Sequence, residues 1–153
     1  MSEAVLAELR DEEQEGMRVV RLRIPAKPEY IALGRLALSG LADLVTLPPE
    51  VVADLKLALT EAVSNSVRHA YGESGGFVEI AYELSARELA IEVVDDGAGF
   101  DPERPPVLEG DELSEGGLGI AIIRTIADGF DIESEAGVRG SRLRFVKRLQ
   151  QPQ

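Results

Sequence analysis

Residues 77–100, FVEIAYELSARELAIEVVDDGAGF, decide how the fold is read. Phe77 to Leu84 and Glu88 to Asp95 are rich in β-branched and apolar residues. Ser85–Arg87 is a short polar break between them, so the pattern predicts a β-hairpin. In the second strand Leu89, Ile91, Val93 and Asp95 share one face by the two-residue period of a strand. Three apolar groups mark that face as the core-facing row, and Asp95 ends it with a carboxylate. Carboxylates are rarely buried without partners, so Asp95 is expected to have a dedicated donor. An amine on a ligand, such as the adenine N6 group, is a good fit. Gly97 and Gly99 follow at once, removing side chains where a flat base would need close backbone approach. Taken singly, D-x-G-x-G reads equally well as an Asp-Gly turn capped by Asp95.

Upstream of the hairpin, Met17 to Ile24 alternates one apolar face with one mixed face, which predicts an edge or half-buried strand. Pro25 and Pro28 close it, and Pro28 opens a helix running to about Val45. Pro48 and Pro49 then introduce a long helix from about Glu50 to Tyr71, ended by Gly72, Gly75 and Gly76. Downstream, Gly97 to Gly117 holds five glycines and three prolines. An irregular loop of that length is uncommon unless functional. A helix over about Leu118–Asp128 and strands over 130–135 and 141–149 complete the chain. The order β-α-α-β-β-loop-α-β-β predicts an α/β two-layer sandwich, with helices on one face of a mixed, mostly antiparallel sheet. Residues 1–16 read as an acidic arm, either a frayed helix or mobile, residues 17–149 as the single domain and 150–153 as a disordered tail.

The charge balance removes several classes of function. Among 153 residues, 16 are Lys or Arg and 28 are Asp or Glu, a net charge of −12. Counterion-release binding to nucleic acid needs a basic face, so a direct nucleic-acid partner is excluded. An anionic membrane surface is disfavoured for the same reason. With no cysteine there is no thiolate zinc site and no cysteine nucleophile, and a single histidine, His69, rules out a multi-histidine metal centre. The start lacks the pattern of a signal peptide, and no apolar run has the length of a membrane span, so a cytoplasmic location is expected.

Three further motifs carry chemistry. Glu61, Asn65 and His69 recur every four residues along the long helix and form one stripe. An amide oxygen such as that of Asn65 is a hard neutral ligand suited to Mg²⁺, which keeps waters and takes phosphates as co-ligands. A carboxylate one turn earlier, Glu61, can orient or deprotonate an attacking hydroxyl. The bland alternative is a solvated polar stripe, and His69 by itself is a packing or capping residue. Next, Gly116-Gly117-Leu118-Gly119-Ile120 is expected to open a helix, where free backbone N–H groups and the helix dipole attract an anion. Finally, Gly140-Ser141 leads into the last strand, where Ser141 is placed to share a water with Asp95. Alone, each of these is a loop or a turn.

In this order the four motifs resemble the nucleotide-binding boxes of the GHKL ATPase superfamily, which includes gyrases and histidine kinases. Glu61-Ala-Val-Ser-Asn65-Ser-Val-Arg-His69-Ala-Tyr71 is similar to the N box. Asp95-Asp-Gly97-Ala-Gly99-Phe100 resembles the G1 box, Gly116-Gly-Leu-Gly119-Ile the G2 box and Gly140-Ser141 the last. The short lid and the His-Ala-Tyr ending of the N box most resemble the bacterial anti-sigma factor serine/threonine kinases. That resemblance covers about residues 17–149. It implies a Bergerat ATP-binding fold, ATP and Mg²⁺ as cofactors, Asn65 on the metal, Asp95 on adenine, and Glu61 as base or water-orienting group. It also implies a STAS-type anti-anti-sigma protein as substrate, a sigma factor as sequestered partner, and a homodimer. Ser141 stands where threonine is common and keeps the hydroxyl.

From Phe100 to Glu115 six acids face one base, Arg104. Repulsion of a triphosphate there is only partly screened over a Debye length of ~8 Å. Neutralisation falls to Mg²⁺, the Gly116–Gly119 amides, and Arg104 or Arg124. Two other outputs fit the same boxes. One is a switch kinase of a STAS scaffold that binds no sigma factor. The other is an interaction module that binds ATP without transferring phosphate, against which Glu61 speaks. A histidine autokinase is disfavoured, because His69 lies inside the N box.

Overall fold

The computed structural model describes residues 8–14, 17–70, 76–97, 112–134 and 140–149, with backbone alone for 8–14, 69–70 and 112–117. Six strands, β1 (Glu8–Gln14), β2 (Met17–Pro25), β3 (Phe77–Leu84), β4 (Glu88–Asp95), β5 (Gly129–Glu133) and β6 (Ser141–Arg148), form one sheet. Its order is β1-β2-β3-β4-β6-β5. Helices α1 (Ile31–Val45), α2 (Pro49–Ala70) and α3 (Glu112–Ile126) make the second layer, with a 3₁₀ turn at Pro28–Tyr30 leading into α1. The α/β sandwich expected from the sequence is what forms. The sheet, expected to be mixed but mostly antiparallel, is antiparallel in every described pairing. The short connection from Glu133 to Ser141 leaves β5 and β6 no room for a crossover, so they pair antiparallel.

Register explains the core. Leu22, Ile80, Val93 and Leu143 face one another across β2, β3, β4 and β6, and Val20, Tyr82, Ile91 and Phe145 form the next row. These side chains are buried against Leu38 of α1, Leu55, Leu59 and Val63 of α2 and Ile123 of α3. Each large one contributes roughly 1.5–3 kcal/mol of transfer free energy. A third row runs Ile24, Val78, Asp95, Ser141, so the apolar sequence ends in a carboxylate and a hydroxyl at one end of the sheet. On the opposite face Arg142 pairs with Glu92 (3.0 Å) and Asp131 (3.3 Å), and Arg144 with Glu83 (2.9 Å). These part-exposed ion pairs screen small buried residues such as Ala81 and Ala90 and add little stability of their own.

Two expectations about the chain's organisation are corrected. Residues 8–14 are a strand rather than a frayed helix or loose arm, and β1 takes the sheet edge, so that Met17–Ile24, expected to be edge or half-buried, is a half-buried inner strand. Acidic residues disfavour strands, but the free ladder of β2 supplies partners for the backbone of β1. The register also sets Glu8 opposite Arg23 and Glu13 opposite Arg18. The second correction concerns α3, which starts at Glu112 rather than near Leu118. Acids at 111, 112 and 115 favour a helix N-terminus there. Among the described residues no helix is long and apolar enough to cross a membrane.

Tyr82 ties the two layers together. Fully buried, it donates its hydroxyl to the Gly34 carbonyl at 2.7 Å. Tyr82→Phe removes the bond that ties the sheet to α1 and is expected to cost about 1 kcal/mol by denaturant titration. Burial also pushes the Tyr82 hydroxyl well above its ordinary value of 10.0. A raised value means that the folded state keeps the proton while the unfolded chain releases it. Stability is therefore full below about pH 10 and lost as pH rises beyond it. The alkaline slope should flatten in Tyr82→Phe, and an unchanged slope would assign the loss to other groups.

Candidate nucleotide site

The site is built at the end of the third row. Asp95 closes β4 on its core-facing side and is 5% exposed. Its Oδ1 accepts the Gly97 backbone N–H at 3.0 Å, and its Oδ2 accepts the Ser141 hydroxyl at 2.5 Å. Ser141 therefore holds Asp95 directly rather than through the expected water, as follows from their facing positions on β4 and β6. A carboxylate has about four lone-pair directions, and among the described residues these two bonds use one on each oxygen. Both turns are tied to each other, since Gly140 N–H donates to the Gly97 carbonyl at 2.6 Å. Gly140 has φ +93°, a conformation other residues rarely adopt, which is why a glycine precedes Ser141.

A depression of about 420 Å³ opens at this corner, lined by Asp95, Gly140 and Ser141 with Val94, Glu133, Ser134 and Arg142. A similar one of about 450 Å³ lies between the end of α1 and the start of α2. None of the candidate site residues lines it.

Glu61 and Asn65 sit one turn apart on α2, beside the fully buried Ala58, Leu59, Ala62 and Val63. Asn65 is 6% exposed and Glu61 is half-buried. Burial of a polar amide beside an apolar face departs from a merely solvated stripe. Among the described residues no cluster of three or more His, Cys, Asp or Glu side chains is arranged to hold a metal. A lone amide oxygen fits a cation that takes its remaining ligands from water and phosphate, as Mg²⁺ does. The His69 backbone is in α2 and its side chain lies outside the described residues.

Helix α3 packs on α2 and brings Gly119 against Glu61, an adjacency that no sequence pattern signalled. Because α3 starts at Glu112, Gly116, Gly117, Leu118, Gly119 and Ile120 lie within it rather than at its opening. Beyond the first four residues a helix uses its own N–H groups, so these amides are engaged in the helix as it stands. Leu118 is exposed, while Gly119 and Ile120 are buried. Arg124, considered for charge neutralisation, stands in the last turn of α3 with its guanidinium 5.0 Å from the Phe130 ring centroid. Gly99 and Arg104 lie outside the described residues.

The histidine kinase-like ATPase domain family matches residues 24–147. The serine-protein kinase RsbW of Listeria innocua is 36% identical over 140 residues, covering 86% of this chain and 89% of that protein. RsbW of Bacillus subtilis is 33% identical over 136 residues, covering 83% and 85%. Among solved structures, the RsbU and RsbW domains of a Mycobacterium tuberculosis protein superpose with a TM-score of 0.65 at 20% identity. That likeness covers 88% of this chain and 32% of the other, and concerns the fold alone. The chain belongs to the histidine kinase-like ATPase domain family and, within it, to the RsbW serine-protein kinases.

Proposed function

We propose that this kinase transfers the γ-phosphate of Mg²⁺-ATP to a serine or threonine of a STAS-type anti-anti-sigma protein, and that as a cytoplasmic homodimer it sequesters a sigma factor. Residues 17–149 are the catalytic domain in this reading, flanked by 1–16 and 150–153. The observation that carries it is the buried Asp95 carboxylate, both of whose oxygens are oriented by the protein, Oδ1 by the Gly97 N–H and Oδ2 by the Ser141 hydroxyl. Such a group, at the end of an apolar row, matches a planar base carrying an exocyclic amine.

Each residue then has a separate task. Asp95 accepts the adenine N6–H, with Ser141 and the Gly97 amide fixing its plane. Asn65 would hold Mg²⁺, which when bound neutralises charge on the phosphate chain. Glu61 accepts the proton of the acceptor hydroxyl as that oxygen bonds to the γ-phosphorus. The bond from phosphorus to the β–γ bridging oxygen breaks, and ADP carries away its electron pair. Gly116, Gly117, Leu118, Gly119 and Ile120 face the phosphates once the amides at the start of α3 are freed, and Arg104 adds the one basic group of the lid.

The test is transfer of labelled γ-phosphate to a purified STAS protein, followed by mapping of the labelled residue. No label on any serine or threonine would remove the reading. Capture of purified sigma factors separates a sigma-binding kinase from a switch kinase that binds none. The metal assignment is checked separately. Asn65→Ala is expected to keep the fold and to abolish the Mg²⁺-dependent part of the thermal shift with ATP. Excess chelator should weaken wild-type binding to the same extent, because six lid acids oppose the unneutralised triphosphate. An undiminished shift in either case would exclude Asn65 as a ligand.

A further inference from the structure

Gly119 has no conformational reason to be glycine. It lies inside α3, and its φ is not positive; among the described glycines positive values belong to Gly76 and Gly140. A glycine in a helix interior is less stable than an alanine. What an alanine would meet is specific. A Cβ built on Gly119 falls 2.7 Å from Oε2 of Glu61, and 3.7 Å from the Cβ and Cδ atoms of the same residue. The two longer separations are ordinary contacts, so the helix backbones have room for a methyl group. The carboxylate does not. Glu61 would have to swing its oxygen away, because a flexible side-chain end moves more easily than two packed helices anchored by Ala58, Ala62 and Ile123.

We infer that Gly119 is a positioning residue: its missing side chain keeps open the space in which the Glu61 carboxylate sits when it takes the proton of the acceptor hydroxyl. This rests on the reading of Glu61 as the base. This role is additional to the backbone's part in facing the phosphates, because it belongs to the side of Gly119 turned toward Glu61 and an alanine there keeps the same N–H. Displacing a base by about 1 Å is enough to cost ~10²-fold in rate, so a single methyl group is sufficient.

The experiment compares Gly119→Ala, Glu61→Asp, the double variant and Glu61→Gln by single-turnover transfer at saturating ATP, ATP affinity by calorimetry, and thermal stability. Gly119→Ala should melt at or above the wild-type temperature, bind ATP within about threefold, and transfer phosphate ~10²-fold more slowly. Aspartate is one methylene shorter and withdraws from the added methyl. Glu61→Asp should therefore slow the wild type but leave Gly119→Ala no slower, or partly restore it. The proposal is overturned if Gly119→Ala transfers within twofold of wild type, if its loss lies in ATP affinity, or if Glu61→Asp lowers the rate by the same factor in both backgrounds. Failure of the underlying reading has a different signature. Glu61→Gln transferring at the wild-type rate removes the base role itself, whereas an inactive Glu61→Gln with multiplicative double-variant rates overturns only the role of Gly119.

Discussion

Replacing Asp95 with asparagine is expected to reduce ATP affinity by a factor of about 30 to 10⁴ while leaving the fold in place. In the native arrangement Oδ1 receives the Gly97 N–H and Oδ2 the Ser141 hydroxyl, and both oxygens can accept again. An amide has one acceptor atom and one donor group. If its oxygen stays on Gly97 N–H, its NH₂ turns toward Ser141, whose hydroxyl can rotate to accept. The structure tolerates that exchange, which is why folding should survive. The ligand does not, because the NH₂ now points a donor at the donor of adenine. An unmatched buried donor costs ~1–3 kcal/mol on each side, giving roughly 2–6 kcal/mol in all. Calorimetry at saturating Mg²⁺ measures this directly. A dissociation constant within threefold of wild type, in protein with an unchanged melting temperature, would dissociate Asp95 from base recognition.

Glu61→Gln is the second large effect, and it should fall on a different quantity. Glutamine keeps the length and the contact with Gly119 but cannot take a proton from the acceptor hydroxyl. General-base catalysis is commonly worth ~10²–10⁴-fold, so transfer to the STAS protein should slow by that factor with ATP affinity nearly unchanged. Asp95→Asn and Glu61→Gln thus separate cleanly, one in binding and one in chemistry. Equal labelling of the substrate by wild type and Glu61→Gln would demote Glu61 to a packing residue, and the protein kinase chemistry would need another base.

How much of this was legible beforehand varies from element to element. The hairpin strands lie at Phe77–Leu84 and Glu88–Asp95, where the alternation set them, because a two-residue period and a polar break are local signals. The long helix is almost as good, Pro49–Ala70 against an expected 50–71, bounded by prolines before and glycines after. The core-side position of Asp95 follows from the same period. The first strand was not legible: ELRDEEQ has a composition that disfavours strands, and only a partner's open edge makes it one. Nor was the start of α3, since glycines at 116, 117 and 119 read locally as a loop entering a helix.

The sequence by itself determined that Asp95 ends an apolar row of its strand and that Glu61 and Asn65 share one stripe of their helix. It could do so because period and composition are properties of neighbours along the chain. Only the tertiary structure decided how these residues meet: Ser141 bonds Asp95 directly rather than through a water, and Glu61 lies against Gly119. Ser141 reaches Asp95 across 46 positions because β6 inserts between β4 and β5, and Glu61 rests on Gly119 because α2 and α3 pack side by side. Contacts of that kind depend on strand order and helix packing, which are set by burying the whole core at once and leave no local trace in the amino-acid pattern.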